Sequence, residues 1–398
     1  MIPRRVLVLT SDTGAGHRSV SRALAEAARE RPDSPLELVE FDPFGPPPAW
    51  LACRRPAGRM PALDRLVALY GPAIVRAPWL WGWVYQAFDN GAGLALALAL
   101  FGRAVRERIA AAVEHVEAAA VLSVHPVVNH AMSQARRHLG RRSLPLMTVL
   151  TDLVSVHRFW ACAAVDQYVA SSAAAAGRLH DLGIPPPRIA TLGIPLRRAF
   201  GRTALSAREM RLRVGLDPDR HTIVLMGGGD GAGRLADTAR AIAAIGPRVG
   251  ALQLVVLTGR NAGARRALGA AAWPVPARVH GFVENIHEYM TAADVIVTKP
   301  GSVTVAEALA LARPLVLGRP VPGQEEGTVG YVVEGGAGLA YRTPAEAAEA
   351  VAYLLGDPST RWEMGQRAAR LSHPHATERT LDLLQALVLR AEAGGHPR

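Results

Sequence analysis

Short runs of Val, Leu and Ile alternate along the chain with longer alanine-rich stretches whose apolar positions recur every three to four residues. Arg5–Thr10, Leu36–Phe41, Val121–Ser123, Leu146–Thr151 and Gln167–Ala170 read as strands, and His17–Arg29, Pro126–Leu139 and Ala173–Leu182 as helices. The strand runs show little polar alternation, the mark of strands covered on both faces, so a parallel sheet under helices is predicted. The pattern breaks at Gly193–Thr203, a Gly-Ile-Pro turn followed by a polar stretch, and then restarts. Thr222–Met226, Gln253–Thr258, Arg278–Gly281, Val295–Thr298 and Pro314–Leu317 form the second set of strands. The predicted fold class is α/β: two doubly wound parallel-sheet domains facing across a cleft. The expected boundaries are 1–200, 201–375, and a C-terminal helix with a disordered tail over 376–398.

One interval, Pro43–Gly102, departs from the alternation. It carries Pro46, Pro47, Pro48 and Trp50, then Arg54, Arg55 and Arg59, then Trp79, Trp81 and Trp83, and finally the apolar run Leu94–Phe101. Trp and Arg beside apolar helix faces suit a membrane interface. The same residues also suit a helical insertion whose tryptophans are core.

Composition narrows the partners without choosing one. The formal net charge is +11 over 398 residues, which favours anionic partners. Nearly all of it is arginine, and Lys299 is the only lysine. No basic face interleaved with aromatics points to nucleic acid. Cys53 and Cys162 make neither a disulfide framework nor a metal cluster. The sequence passes from Met1 into a strand-like run, and its longest apolar run is far short of the ~20 residues a spanning helix needs. A cytoplasmic protein is expected, one that lies on a membrane if it meets one.

Candidate chemistry sits where strands end, the place where ligands bind in open α/β sheets. After the first strand comes Ser11-Asp12-Thr13-Gly14-Ala15-Gly16-His17. Gly14 and Gly16 let the backbone approach a ligand, and His17 begins a helix where a neutral imidazole can take a hydroxyl proton. Ser19 stands where a dinucleotide fingerprint needs glycine. Thr151-Asp152 ends another strand, with His157 and Trp160 just after. Asp152 can orient His17, hold a substrate hydroxyl or act as the base. His125 ends a third strand. In the second half, Gly227-Gly228-Gly229 can form a phosphate nest. Gly301, Ser302 and Thr304 lie at a helix start, where backbone amides favour a diphosphate, and Glu307 lies one turn further in, suited to ribose hydroxyls. Gln324-Glu325 can read hexose hydroxyls.

Taken in order, these segments resemble the lipid glycosyltransferases of the GT-B fold. The resemblance is to the monogalactosyldiacylglycerol synthase and processive diacylglycerol glucosyltransferase group. More distantly, it extends to the peptidoglycan enzyme that adds N-acetylglucosamine to lipid I. SDTGAGH and TDLVSVHRFW look like the N-terminal half of the diacylglycerol group, and GFVENIHEYM, TKPGSVTVAEAL and PGQEE like the nucleotide-binding half of both. The resemblance implies an inverting transfer of a hexose from a UDP-sugar to a membrane lipid at the inner face of the cell membrane. No cofactor and no essential metal are implied. Phe282 and Val283 would hold uracil, and Gly227–Gly229, Gly301, Ser302 and Thr304 the diphosphate. Glu307 would hold the ribose, and Gln324 and Glu325 the hexose. His17 would be the base. The expected partners are therefore a UDP-sugar, a lipid acceptor and an anionic membrane surface, with no nucleic acid. Two other readings are a transferase acting on an isoprenoid-diphosphate-linked sugar and a catalytically silent UDP- or membrane-binding protein. Gly327-Thr328 after Glu326, and Gly301-Ser302 after Pro300, differ from the family pattern beside the hexose pocket, so the resemblance leaves the sugar unassigned.

Overall fold

The computed structural model describes residues 3–11, 15–31, 35–52, 78–201, 205–227 and 234–393; for Ala15, Ala52, Pro78 and Trp81 it describes the backbone alone. The chain divides into two compact units. The first is Met1–Arg198 with Pro322–Gln324 and His375–Arg398; the second is Ala199–Val321 with Glu325–Pro374.

The first unit holds β1 (Arg4–Leu9), β2 (Leu36–Phe41), β3 (Ala120–Ser123), β4 (Leu146–Val149), β5 (Gln167–Ala170) and β6 (Ile189–Thr191). All pairings are parallel, in the order β2-β1-β3-β4-β5-β6. Val6 to Leu9 expose no surface, as two-sided coverage demands. The second unit repeats the design with β7 (His221–Met226), β8 (Leu252–Leu257), β9 (Ala277–His280), β10 (Val295–Thr298), β11 (Leu315–Leu317) and β12 (Gly338–Ala340). Their order is β12-β11-β10-β7-β8-β9, again parallel throughout.

Each sheet is doubly wound, and each has one point where the winding reverses. In the first it lies between β1 and β3, in the second between β7 and β10. At such a point the two following connections leave in opposite directions and open a crevice at the carboxyl edge. The predicted strands are present with ends shifted by one or two residues, as frayed ends allow. β6 and β12 were not foreseen: each is a three-residue edge strand, too short to carry a pattern.

The C-terminal helix is Ala376–Ala393, and it belongs to the first unit. Arg4 Nε meets Glu392 Oε1 at 2.5 Å, Arg31 Nη1 meets Asp382 Oδ1 at 2.7 Å, and the Leu196 amide donates to Thr377 Oγ1 at 2.9 Å. The expected disordered tail beyond it lies outside the described residues.

The atypical interval resolves into helices Ala49–Ala52, Pro78–Phe88 and Gly91–Val116 among the described residues. Asn90 caps the long helix, its side chain accepting from the Gly93 amide at 2.9 Å. Trp50 is half-buried and stacks on His115 with ring centroids 5.0 Å apart, so this tryptophan is core. Trp79 and Trp83 are not: they are 65% and 72% exposed. They stand four residues apart, hence on one helix face, and Leu80 and Val84 beside them are exposed as well. Leu96 and Leu100 repeat the same spacing on the next helix. No described helix is long and apolar enough to cross a membrane. Arg54, Arg55 and Arg59, and the Trp81 side chain, lie outside the described residues.

Candidate active site

The winding reversal of the first sheet gathers a histidine cluster. Leu9 pairs with Ser123, and Ser123 with Thr148, so the segments after β1, β3 and β4 leave the sheet side by side. His17 is the third residue of the helix Ala15–Glu30. Its Nδ1 lies 2.6 Å from the Val124 carbonyl oxygen and 3.1 Å from Thr151 Oγ1. A carbonyl can only accept, so the neutral ring carries its proton on Nδ1. Nε2 then presents a lone pair, and among the described residues it makes no hydrogen bond. Burial pushes the His17 pKa down from 6.5 to about 4, and the Val124 carbonyl only partly opposes this.

Two aromatic groups flank this ring. His125 meets it edge-on at 4.7 Å between centroids, and Trp160 lies at 6.4 Å. His125 is buried, and burial followed by the proximity of His17 pulls its pKa well down. Trp160 exposes no surface, and its indole N–H donates to Asp152 Oδ2 at 2.7 Å. The Trp160 carbonyl accepts from Asn129 Nδ2 and from the Tyr168 hydroxyl, both at 3.0 Å, which fixes the segment from below. Asp152 is thus held toward Trp160, and the group orienting His17 at Nδ1 is the Val124 carbonyl. Sequence reasoning missed Val124 because a backbone acceptor has no side-chain signature.

His157 provides a contrast. Its Nε2 donates to the Tyr85 carbonyl at 3.2 Å, and its Nδ1 accepts from the Phe159 amide at 3.2 Å. Both nitrogens are engaged, so this histidine is structural. It belongs to a tie between the exposed-tryptophan helix and the segment after β4. Asp89 Oδ1 accepts from the Arg158 amide at 2.6 Å, and Tyr85 packs edge-on against His157 at 4.6 Å. A cavity of about 430 Å³ lies beside the tie, lined in part by Tyr85, Asp89, Ser155 and Arg178. Gly16 is half-buried in the first helical turn, and Gly14 lies outside the described residues.

At the second winding reversal the groups are of another kind. Thr298 pairs with Met226 on one side and Leu317 on the other, so Gly227, Lys299 and Gly318 follow at one level of the edge. Gly227 is buried; Gly228 and Gly229 lie outside the described residues. Gly301 is the N-cap of the helix Ser302–Ala310 and offers no side-chain cap; Ser302 and Thr304 occupy its first turn, both half-buried. Glu307 is buried on the same helix, 7% exposed. Lys299 bonds through Nζ to Glu325 Oε1, and Glu325 Oε2 accepts from the Val321 amide at 3.0 Å. Gln324, the residue before it in sequence, is half-buried and belongs to the first unit. After β9 come Phe282, 60% exposed, and half-buried Val283. The Lys299–Glu325 pair was not foreseen as a unit, since the two residues are 26 positions apart.

The two edges therefore suit two tasks. The first presents an unprotonated imidazole nitrogen beside buried aromatics, a proton acceptor. The second presents a glycine turn, a helix start and a lysine, an anion holder. Two family models match the two halves of the chain separately. A model of monogalactosyldiacylglycerol (MGDG) synthase matches residues 64–196, and one of the glycosyltransferase family 28 C-terminal domain matches residues 222–330. The chloroplastic monogalactosyldiacylglycerol synthase of Spinacia oleracea is 31% identical over 394 residues, covering 97% of this chain and 73% of its own length. The chain belongs to the monogalactosyldiacylglycerol synthase family. Monogalactosyldiacylglycerol synthase 1 of Arabidopsis thaliana, also chloroplastic, is 30% identical, covering 97% and 71%. The crystal structure of MurG from Acinetobacter baumannii has a TM-score of 0.61 at 16% identity, covering 96% of this chain and 100% of its own. The UDP-GlcNAc 2-epimerase from Neisseria meningitidis, bound to UDP-GlcNAc, has a TM-score of 0.60 at 11% identity, with the same coverage. At such identities these two structures establish the fold, which is GT-B. Within the monogalactosyldiacylglycerol synthase family this chain is a glycosyltransferase.

Proposed function

We propose that the chain moves a hexose from a UDP-sugar to diacylglycerol or a closely related membrane lipid, in a single inverting displacement. The observation that carries the reading is the His17 tautomer. With Nδ1–H committed to Val124, Nε2 is poised to take the acceptor's proton. The acceptor oxygen then bonds to the anomeric carbon as the bond from that carbon to the β-phosphate oxygen breaks. The electron pair of the broken bond leaves on UDP, and the acceptor proton goes to Nε2.

The second unit supports the donor side of this reading. Exposed Phe282 offers a flat apolar face beside Val283 for the base. Gly227, Gly301, Ser302 and Thr304 would surround the diphosphate, Glu307 would take the ribose hydroxyls, and Glu325 the hexose. No resident metal or cofactor enters, because the helix start and basic groups would carry the departing charge. On the acceptor side, Trp79 and Trp83 suit insertion at a lipid surface, which would place the protein peripherally at the inner face of a membrane. The cavity beside Tyr85 and Asp89 lies next to that helix.

The test is direct. The purified protein is incubated with UDP-galactose or UDP-glucose and with anionic vesicles containing diacylglycerol, and lipids are identified by mass spectrometry. A hexosyl-diacylglycerol with inverted anomeric configuration is expected. No glycolipid from either donor, with UDP-sugar bound but untransferred, would overturn the reading.

A further inference from the structure

Lysine is used once in this protein, among 45 lysines and arginines. Everywhere else that a cation stands, the chain takes arginine. The exception follows Thr298, the last residue of β10, at the winding reversal of the second sheet. Its ammonium is bonded to Glu325, which is 6% exposed and whose second oxygen is occupied by the Val321 amide. The pair closes over the turn at Gly301: a Cβ there would lie 3.4 Å from Lys299 Nζ and 3.7 Å from Glu325 Oε1. A compact ammonium fits this corner, whereas a planar guanidinium is broader and would crowd both neighbours.

Stability is a poor reason for this pair. Buried ion pairs roughly break even against apolar replacements, because both ions lose water. What the pair does offer is a cation held neutralised at the mouth of a glycine turn and a helix start, where a diphosphate would sit. Resting on the UDP-sugar reading above, we propose that Lys299 is a further catalytic residue that exchanges Glu325 for the departing diphosphate of the donor. Glu325, released, accepts a hydroxyl of the hexose. As the anomeric carbon–oxygen bond breaks, negative charge moves onto the β-phosphate and meets the ammonium. No proton leaves the lysine. The ion pair therefore keeps the empty site electrically balanced, and only a ligand carrying both a diphosphate and hydroxyls satisfies both partners at once.

The experiment uses the full chain. UDP, UDP-hexose and uridine are titrated by calorimetry into the native protein, Lys299→Gln, Lys299→Arg and Glu325→Gln, and turnover is measured on the same samples. Lys299→Gln is expected to lose about 10- to 100-fold in UDP affinity, as charged hydrogen bonds do. Its kcat should fall about 10²–10³-fold, the usual loss of one charge-stabilising donor. Uridine, which has no phosphate, should bind as before, which also reports an intact fold. Lys299→Arg should recover part of the UDP affinity and little of kcat. Glu325→Gln should keep UDP affinity and lose on the hexose side. Native-like UDP binding by Lys299→Gln would overturn the proposal, and so would equal losses for UDP and uridine, which would mark a role in the fold. Failure of the native protein to bind UDP would instead overturn the donor reading beneath it.

Discussion

The two winding reversals share a topology and differ in the chemistry they carry. At the first, side chains dominate: His17, Thr151, Asp152 and Trp160 form a cluster in which His17 Nδ1 is tied to Val124 and Thr151 and the Trp160 indole to Asp152, while His17 Nε2 is left open. At the second, Gly227 and Gly301 leave the edge open to backbone amides, and Lys299 is neutralised by Glu325. Enclosure is what lowers the His17 pKa, and a lowered pKa keeps a base unprotonated. Openness is what an anion needs, because amides can bind it only if no side chain fills the turn. On the proposed reading, one fold used twice serves proton acceptance in one unit and anion binding in the other.

The comparison breaks most visibly at His17. Replacing it with Ala should lower turnover about 10²–10⁴-fold, as loss of a general base does, whereas Asp152→Asn should lose less and keep the pH profile of the native enzyme. A dead Asp152→Asn beside an active His17→Ala would transfer the base to Asp152. Next in size is Glu307→Ala, which should weaken UDP-sugar binding by about 1.5–3 kcal/mol in calorimetry, the range for charge-involving hydrogen bonds. Unchanged affinity would make Glu307 a helix-end partner only.

The lipid side should respond more modestly. Trp79→Gln with Trp83→Gln should weaken sedimentation with vesicles while leaving the UDP site and the fold intact, because both side chains already face solvent. Undiminished vesicle binding would move the lipid surface elsewhere. Thr151→Val removes only the weaker partner of His17 Nδ1, so kcat should drop no more than about tenfold. Thr151→Ser should restore it.

The smallest effect is the one expected near neutrality. With the His17 pKa near 4, turnover should hold between pH 7 and 5 and fall only as pH drops through about 4. The sign for stability runs the same way. The unfolded ring titrates near 6.5 and the folded ring near 4, so the unfolded state binds the extra proton first. Stability is therefore drained as pH falls from 6.5 toward 4, and His17→Ala should unfold at lower pH than the native protein. Circular dichroism across that window separates loss of fold from loss of base.

Much of the fold was legible because strands buried on both faces are continuous apolar runs. Val6–Leu9 and Val295–Val297 left little choice of period. The edges were not legible: Ile189–Thr191 and Gly338–Ala340 are half-covered and three residues long. Candidate residues were readable where a residue type suggests its own use, as at His17, Glu307 and the Gly301 turn. The site was unreadable where the partner is backbone or distant, as with the Val124 carbonyl, the hydrogen bond from the Arg158 amide to Asp89, and Glu325 on Lys299. Tryptophan alone misleads, since Trp50 packs on His115 while Trp79 and Trp83 face solvent.

The division of labour between the two edges is tested most directly by one paired measurement on His17→Ala. The dissociation constant for UDP and the single-turnover transfer rate at saturating donor are determined on the same sample. A UDP affinity within about twofold of native and a rate reduced at least about 10²-fold are expected. A weakened UDP affinity with a native rate at saturation would place His17 in donor binding and contradict the account.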